Sequence, residues 1–223
     1  MTAKGADDNM VHPQASLTFS YPDEYQPLCD RLGLDQGLPY TEHWSAGADF
    51  LDLIVEHCLR EKPSVVLECS SGLSTLLLAR CCQLNGNSHV WSLENGEKYA
   101  QATQAALNLY DLDNTATVLH APLAATNIGG REFQWYMLSN LSVPEIDMLV
   151  IDGPPGFIQK HSRYPALPLL MERLNSHCTV YLDDATRTDE RELVARWQAD
   201  YPSAQHSFIE TERGCSLLSI DKR

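Results

Sequence analysis

Glu68, Glu94, Asp152 and the pair Asp183-Asp184 each close or directly follow a short apolar run. A carboxylate in that position can hold a hydroxyl, an ammonium or a cation, or take a proton. Behind Glu68 comes Cys69-Ser70-Ser71-Gly72-Leu73-Ser74-Thr75, small residues that lead into an apolar stretch through hydroxyls. Small residues let a ligand approach the backbone, and the free N–H groups of a helix start attract a carboxylate or phosphate. Glu68 is then placed to bind an ammonium or a hydroxyl. Glu94 lies 22 residues beyond Gly72, close to the spacing at which a sheet acid receives ribose hydroxyls. Asp152, Asp183 and Asp184 would meet at neighbouring strand tips, since adjacent strands lie about 4.8 Å apart. Three carboxylates repel unless a proton or cation intervenes, and hard oxygen donors suit Mg²⁺ or Ca²⁺ rather than zinc. Past Asp152, His161 is a candidate general base and Arg163 a bidentate partner for an anionic acceptor. His43, Trp44 and Tyr164 are further candidates for acceptor contacts.

These residues need a scaffold, and the hydrophobic rhythm supplies one. Ala46 to Arg60 has near-helical spacing and ends before Pro63; Ser64 to Glu68 is a buried strand, and Ser74 to Leu84 a helix. His89 to Glu94 predicts a second strand, then a helix capped by Asn95 and running to about Tyr110. Thr115 to His120 and the almost wholly apolar Ile146 to Ile151 predict strands three and four. A helix then starts between Pro165 and Pro168, followed by a fifth strand over Cys178 to Leu182 and a helix capped by Thr188. Gln205 to Glu210 and Cys215 to Ile220 flank the Arg213-Gly214 turn and so must be antiparallel. Strands alternating with helices indicate an α/β fold, a mostly parallel sheet with helices on both faces. Residues 1–40 lack periodicity and read as an extension, disordered at first and then draped over the domain from about Phe19. Residues 124–144, with Gly129-Gly130 and Trp135-Tyr136, read as an insertion that is either a lid or anchored in the core.

Composition narrows the partners. The chain has 223 residues, 43% of them apolar, and a formal charge of −14, which suits one soluble domain rather than a disordered chain. Its Lys and Arg are scattered, so the basic footprint that nucleic acid or an anionic membrane requires is missing. Seven cysteines, an odd number with no CxxC pair, argue against a disulfide framework or zinc cage and for a reducing compartment. With no signal-like start and no long apolar span, a cytoplasmic location is expected.

Glu68-Cys69-Ser70-Ser71-Gly72 resembles the first motif of class I S-adenosylmethionine-dependent methyltransferases, E/D-x-G-x-G, with Ser70 in place of the first glycine. A dinucleotide site would want GxGxxG instead. The resemblance implies a Rossmann-like sheet of order 3-2-1-4-5-7-6 with the seventh strand antiparallel, filling residues 41–223. It implies S-adenosylmethionine as cofactor, held by Glu68, Ser70, Gly72, Ser74, Thr75, Glu94 and Asp152, with His120 and Ala121 beside the adenine. Asp152, Asp183 and Asp184 look like the metal-binding trio of catechol and caffeoyl-coenzyme A O-methyltransferases, with Mg²⁺ the expected ion. The closest resemblance is to small-molecule O-methyltransferases of the cephalosporin-pathway and rhamnosyl type. The expected partners are a small-molecule hydroxyl acceptor and a second copy of the chain in a homodimer. Two alternatives remain open: a non-catalytic binding homologue, which Ser70 favours, and an aminopropyltransferase-like enzyme.

Overall fold

The computed structural model describes residues 18–20, 22–139 and 141–222. The disorder expected at the start of the chain falls on residues outside that range. Strand β1 (Thr18–Ser20) pairs antiparallel with β2 (Leu38–Tyr40), and helix α1 (Gln26–Leu32) lies between them. The repeating part follows: α2 (Ala48–Glu61), β3 (Val65–Cys69), α3 (Leu73–Asn85), β4 (His89–Glu94), α4 (Glu97–Leu109) and β5 (Ala116–His120). A hairpin of β6 (Leu123–Ile128) and β7 (Arg131–Tyr136) precedes β8 (Ile146–Ile151), α5 (Ala166–Leu170) and β9 (Leu174–Leu182). The chain closes with α6 (Thr188–Asp200), β10 (Gln205–Ile209) and β11 (Cys215–Asp221).

Seven strands form the main sheet in the order β10-β11-β9-β8-β3-β4-β5. Counted by rank among those seven, the order is 3-2-1-4-5-7-6, and the seventh, β11, runs antiparallel to both its neighbours. The central strands are apolar on both faces, because each face is covered by helices. Val66, Met148 and Val150 point into one core with α2 and α3, while Leu67, Leu149 and Ile151 point into a second with α5, α6 and Trp135. No described helix is long and apolar enough to cross a membrane.

Several local expectations change. Residues 26–32 form a helix that periodicity did not reveal, and Tyr25, Leu28, Cys29, Leu32, Leu34 and Leu38 are buried in the first core. The Tyr25 hydroxyl donates to the Ala46 carbonyl at 3.0 Å, which ties this segment to the start of α2. Gly96, not Asn95, precedes α4, and its N–H donates to Glu94 Oε1 at 2.7 Å. Thr188 is the first helical residue of α6 and not its cap. Strand β9 begins four residues early, because Leu174 already pairs with Ile146 across an irregularity in the ladder. The insertion is the β6–β7 hairpin, and full burial of Trp135 and near-full burial of Tyr136 make its end a core anchor rather than a lid. All seven cysteines are buried and free.

Candidate active site

Parallel pairing brings the acids together. Cys69 pairs with both Leu93 and Ile151, and Ile151 with Leu182, so the residues that follow β3, β4, β8 and β9 emerge at one edge. The ladder runs one residue further, with the N–H groups of Ser70, Asp152 and Asp183 donating to Leu93, Cys69 and Ile151 carbonyls at 2.9, 3.1 and 3.1 Å.

The loop after β3 is held from beneath. Glu68 is fully buried, and its Oε2 accepts from the Thr75 and Ser92 hydroxyls at 2.6 Å each. Burial pushes its carboxyl up, against the pull of these hydroxyls. Through Oε2, Glu68 holds protein hydroxyls and fixes the entry to α3, while its buried Oε1 has no hydrogen-bond partner among the described residues. Thr75, also fully buried, accepts from the Gly72 N–H at 3.1 Å while donating to Glu68. Neither the Thr75 side chain nor the buried Ser74 is open to a cofactor, so α3 offers a ligand its N-terminal backbone instead.

Ser70 and Gly72 adopt φ of 118° and 145°, a region that favours glycine. A Cβ at Gly72 would meet nothing within 4 Å, so the outer side of the loop is open. Ser70 holds a glycine's conformation with a serine side chain. Ser70→Gly is expected to stabilise the fold by about 0.5–1 kcal/mol, a rise of roughly 2 °C in Tm. A thermal melt showing no rise would mean the loop carries no strain there.

Glu94 crosses back to this loop. Its Oε2 accepts from the Ser71 N–H at 3.1 Å and the Ser71 hydroxyl at 2.9 Å, while Oε1 takes the Gly96 N–H. Burial raises its proton affinity, and these donors oppose that. Ser71, which sequence reasoning passed over as loop filler, is the link between the two strand tips. His120, the last residue of β5, is exposed and Ala121 after it is buried, with the Ala121 N–H bonded to the Glu94 carbonyl at 2.7 Å.

Asp152, Asp183 and Asp184 converge as expected, with one oxygen from each lying within 4.8 Å of the others. Arg163 sits among them. Its Nη2 donates to Asp184 Oδ2 at 2.8 Å and Asp152 Oδ1 at 3.1 Å, and its Nη1 donates to the Asp183 carbonyl at 3.0 Å. The guanidinium is 3% exposed, which corrects the expectation that it grips an acceptor from solvent. Burial works against its charge, but Asp152, Asp184, Glu190 and Asp183 together outweigh that and strengthen its hold on the proton. Asp152 is the most open acid of the group, 15% exposed, and its Oδ2 accepts no hydrogen bond from the described residues. Burial pushes its carboxyl well above the usual Asp range; Arg163 opposes this, and the Asp183 and Asp184 charges add to it. Asp183 moves the same way through burial and then the Asp184 charge.

His161 does not reach this centre. It is 1% exposed, and its Nε2 lies 2.7 Å from Glu192 Oε2 on α6, so its role as general base is corrected to that of a loop anchor. Tyr164 is likewise turned away, donating to Asp200 at 2.9 Å. His43 is exposed beside Glu42, and Trp44 meets Phe157 edge-on at 6.0 Å on the surface. Tyr136 was missed as a site residue: from the hairpin, its hydroxyl fills the space that a side chain on Gly153 would take, beside Ser70. Nothing local in the sequence signals this contact across the fold.

The family described as "Methyltransferase domain" matches residues 67–185, from within β3 to just past β9 and over half of the chain. The chain belongs to this methyltransferase family. The match spans the Glu68–Thr75 loop, Glu94, Asp152, Asp183 and Asp184. No curated protein sequence matches it. Among solved structures, this methyltransferase is similar to an O-methyltransferase from Bacillus cereus in complex with S-adenosylhomocysteine. The TM-score is 0.63 and the identity 14%, over 91% of this chain and 92% of that one. The O-methyltransferase TomG from Streptomyces achromogenes, in complex with S-adenosylmethionine, gives 0.61 and 12% over 91% and 92%. The methyltransferase PaMTH1 from Podospora anserina, bound to S-adenosylhomocysteine, gives 0.64 and 13% over 91% and 89%. These likenesses establish the class I methyltransferase fold.

Proposed function

We propose that this methyltransferase moves the methyl group of S-adenosylmethionine to a hydroxyl of a small molecule. The observation that carries the reading is one edge of the sheet where three features meet. These are an open loop at Ser70–Gly72, the Glu94 carboxylate tied to that loop and the open Oδ2 of Asp152. Three related folds that hold S-adenosylmethionine or its demethylated product support the choice of cofactor.

S-adenosylmethionine supplies a methyl group already activated by its sulfonium. The protein then has to align an oxygen with that methyl, exclude water and remove one proton. The loop backbone and the start of α3 receive the polar end of the cofactor. Each carboxylate oxygen has two lone pairs. Glu94 Oε2 takes both Ser71 donors and Oε1 the Gly96 N–H, and a ribose hydroxyl would share this carboxylate with them. Asp152 would take the acceptor's proton on Oδ2, leaving the oxygen free to accept the methyl group that S-adenosylmethionine supplies. Mg²⁺ is not part of this reading: Arg163 already bridges Asp152 Oδ1 and Asp184 Oδ2 within the cluster that would hold it.

Calorimetry with S-adenosylhomocysteine tests the assignment. Saturable binding is expected, and Glu94→Gln is expected to weaken it about tenfold, the worth of one charged hydrogen bond. Lack of binding at millimolar ligand overturns the function, and a loss under about twofold removes Glu94 as the ribose acceptor.

A further inference from the structure

We propose that Arg163 is a built-in cation that takes the place of a divalent metal in the Asp152–Asp183–Asp184 cluster, so that this protein transfers its methyl group without metal. The inference rests on the methyltransferase reading above and adds how the acidic cluster is neutralised. Two of the three converging carboxylates are joined through a single nitrogen, Arg163 Nη2, at 2.8 and 3.1 Å. The same guanidinium reaches Glu190 Oε1 at 3.9 Å and the Asp183 carbonyl at 3.0 Å, so it faces four elements of the cluster. Arg187 adds a second cation, 2.7 Å from Asp184 Oδ2.

A metal needs the same lone pairs. Mg²⁺ demands near-octahedral oxygens at about 2.0–2.1 Å, and Ca²⁺ six to eight oxygens at about 2.3–2.6 Å. Asp184 Oδ2 already accepts from Arg163 and is ion-paired with Arg187 at 2.7 Å, and Asp152 Oδ1 accepts from Arg163. Admitting an ion between them requires Arg163 to leave a position in which it is 3% exposed and also faces Glu190. An arginine stays charged at every accessible pH, so this cation is permanent rather than exchangeable. Its geometry also gives it a task. By holding Oδ1 of Asp152 it fixes the carboxylate with Oδ2 towards the opening, which makes Arg163 a positioning residue for proton removal.

The free lone pairs that remain belong to the open Asp152 Oδ2 and to Asp183 Oδ2, Asp184 Oδ1 and Glu190 Oε2, the last three buried without a hydrogen-bond partner among the described residues. They define the rival outcome, an ion held beside Arg163 rather than displaced by it. The experiment uses the full chain, stripped with EDTA, and titrates MgCl₂, CaCl₂ and MnCl₂ by calorimetry and thermal melting, with and without S-adenosylhomocysteine. Wild type and Arg163→Lys, which keeps a cation, are expected to show no saturable metal binding and no metal-dependent rise in Tm. Arg163→Gln is expected to acquire Mg²⁺ binding at least about tenfold tighter than wild type, with a matching Tm rise. One equivalent of metal bound to wild type overturns the proposal, as does an Arg163→Gln that folds and gains no metal affinity. If that variant does not fold, the wild-type titration and Arg163→Lys decide. The titration without S-adenosylhomocysteine does not depend on cofactor, so a failure to bind that ligand counts against the function alone.

Discussion

Asp152→Asn is expected to lower the methyl-transfer rate by about 10²–10⁴-fold, the span usual for loss of a general base, while leaving S-adenosylhomocysteine affinity within about twofold. Asn keeps the shape and can still accept from Arg163 at the position of Oδ1, but it cannot take a proton at the open oxygen. The variant should fold, because Arg163 retains its bonds to Asp184 and the Asp183 carbonyl. Single-turnover rates with a panel of phenols, sugars and hydroxy acids would measure the effect. A variant as fast as wild type removes Asp152 from proton transfer.

The same residue sets the pH dependence. Burial raises the Asp152 carboxyl above its ordinary range, so the base is protonated at acid pH and the wild-type rate climbs as pH rises through its folded value. Asp152→Asn should lack that limb. Stability runs in the opposite direction. A carboxyl whose folded pKa lies above the unfolded one contributes stability below the unfolded value and loses it as pH rises through the folded one. Asp183, Glu68, Glu94 and Glu190 are raised by burial in the same sense. Melting temperature of the ligand-free protein should therefore fall between about pH 5 and about pH 9.

Gly153→Ala should cost about 2–3 kcal/mol, roughly 5–10 °C in Tm, and weaken cofactor binding as well. A Cβ at this position would run into the Tyr136 hydroxyl and lie 3.2 Å from Ser70 Cβ and 3.3 Å from the Cys69 carbonyl oxygen. None of the three can easily give way. Tyr136 is 2% exposed and packed edge-on against Trp135 at 5.0 Å, and the others belong to the β3 end and the loop after it. The strain therefore enters the loop that receives the cofactor. Tyr136→Phe removes the nearest atom, so the double variant should recover part of the lost stability, a coupling that a mutant cycle reads directly. A Gly153→Ala protein that melts with wild type would show that the hairpin and the loop are not in contact.

Strand tips were legible because a strand buried on both faces is an unbroken apolar run, and its end is where the first acid appears. Val65-Val66-Leu67 before Glu68 and Ile146 to Ile151 before Asp152 show this directly. Helix α1 was not legible, because its burial depends on α2 and α3 rather than on a periodic face of its own. The partners of side chains were also out of reach. His161 and Arg163 stand two residues apart in one loop, yet one is drawn to Glu192 on α6 and the other into the acids at the tips of β8 and β9.

The amino-acid sequence alone therefore determined the alternating α/β order, the position of the loop after β3 and the identity of the acids at the sheet edge. Each of these is encoded by local hydrophobic pattern and by the residue that ends it. Only the tertiary structure decided what those acids do. Glu68 is set beneath the loop by Thr75 and Ser92, Glu94 is shared with Ser71, and Asp152 is the most exposed of these acids and keeps Oδ2 open. Whether a carboxylate binds a ligand, a metal or its own protein depends on which donors the fold brings within about 3 Å, and those donors come from segments far apart in the chain. Arg163 is the clearest case: its charge is written in the sequence, but its place between Asp152 and Asp184 exists only once β8 and β9 lie side by side.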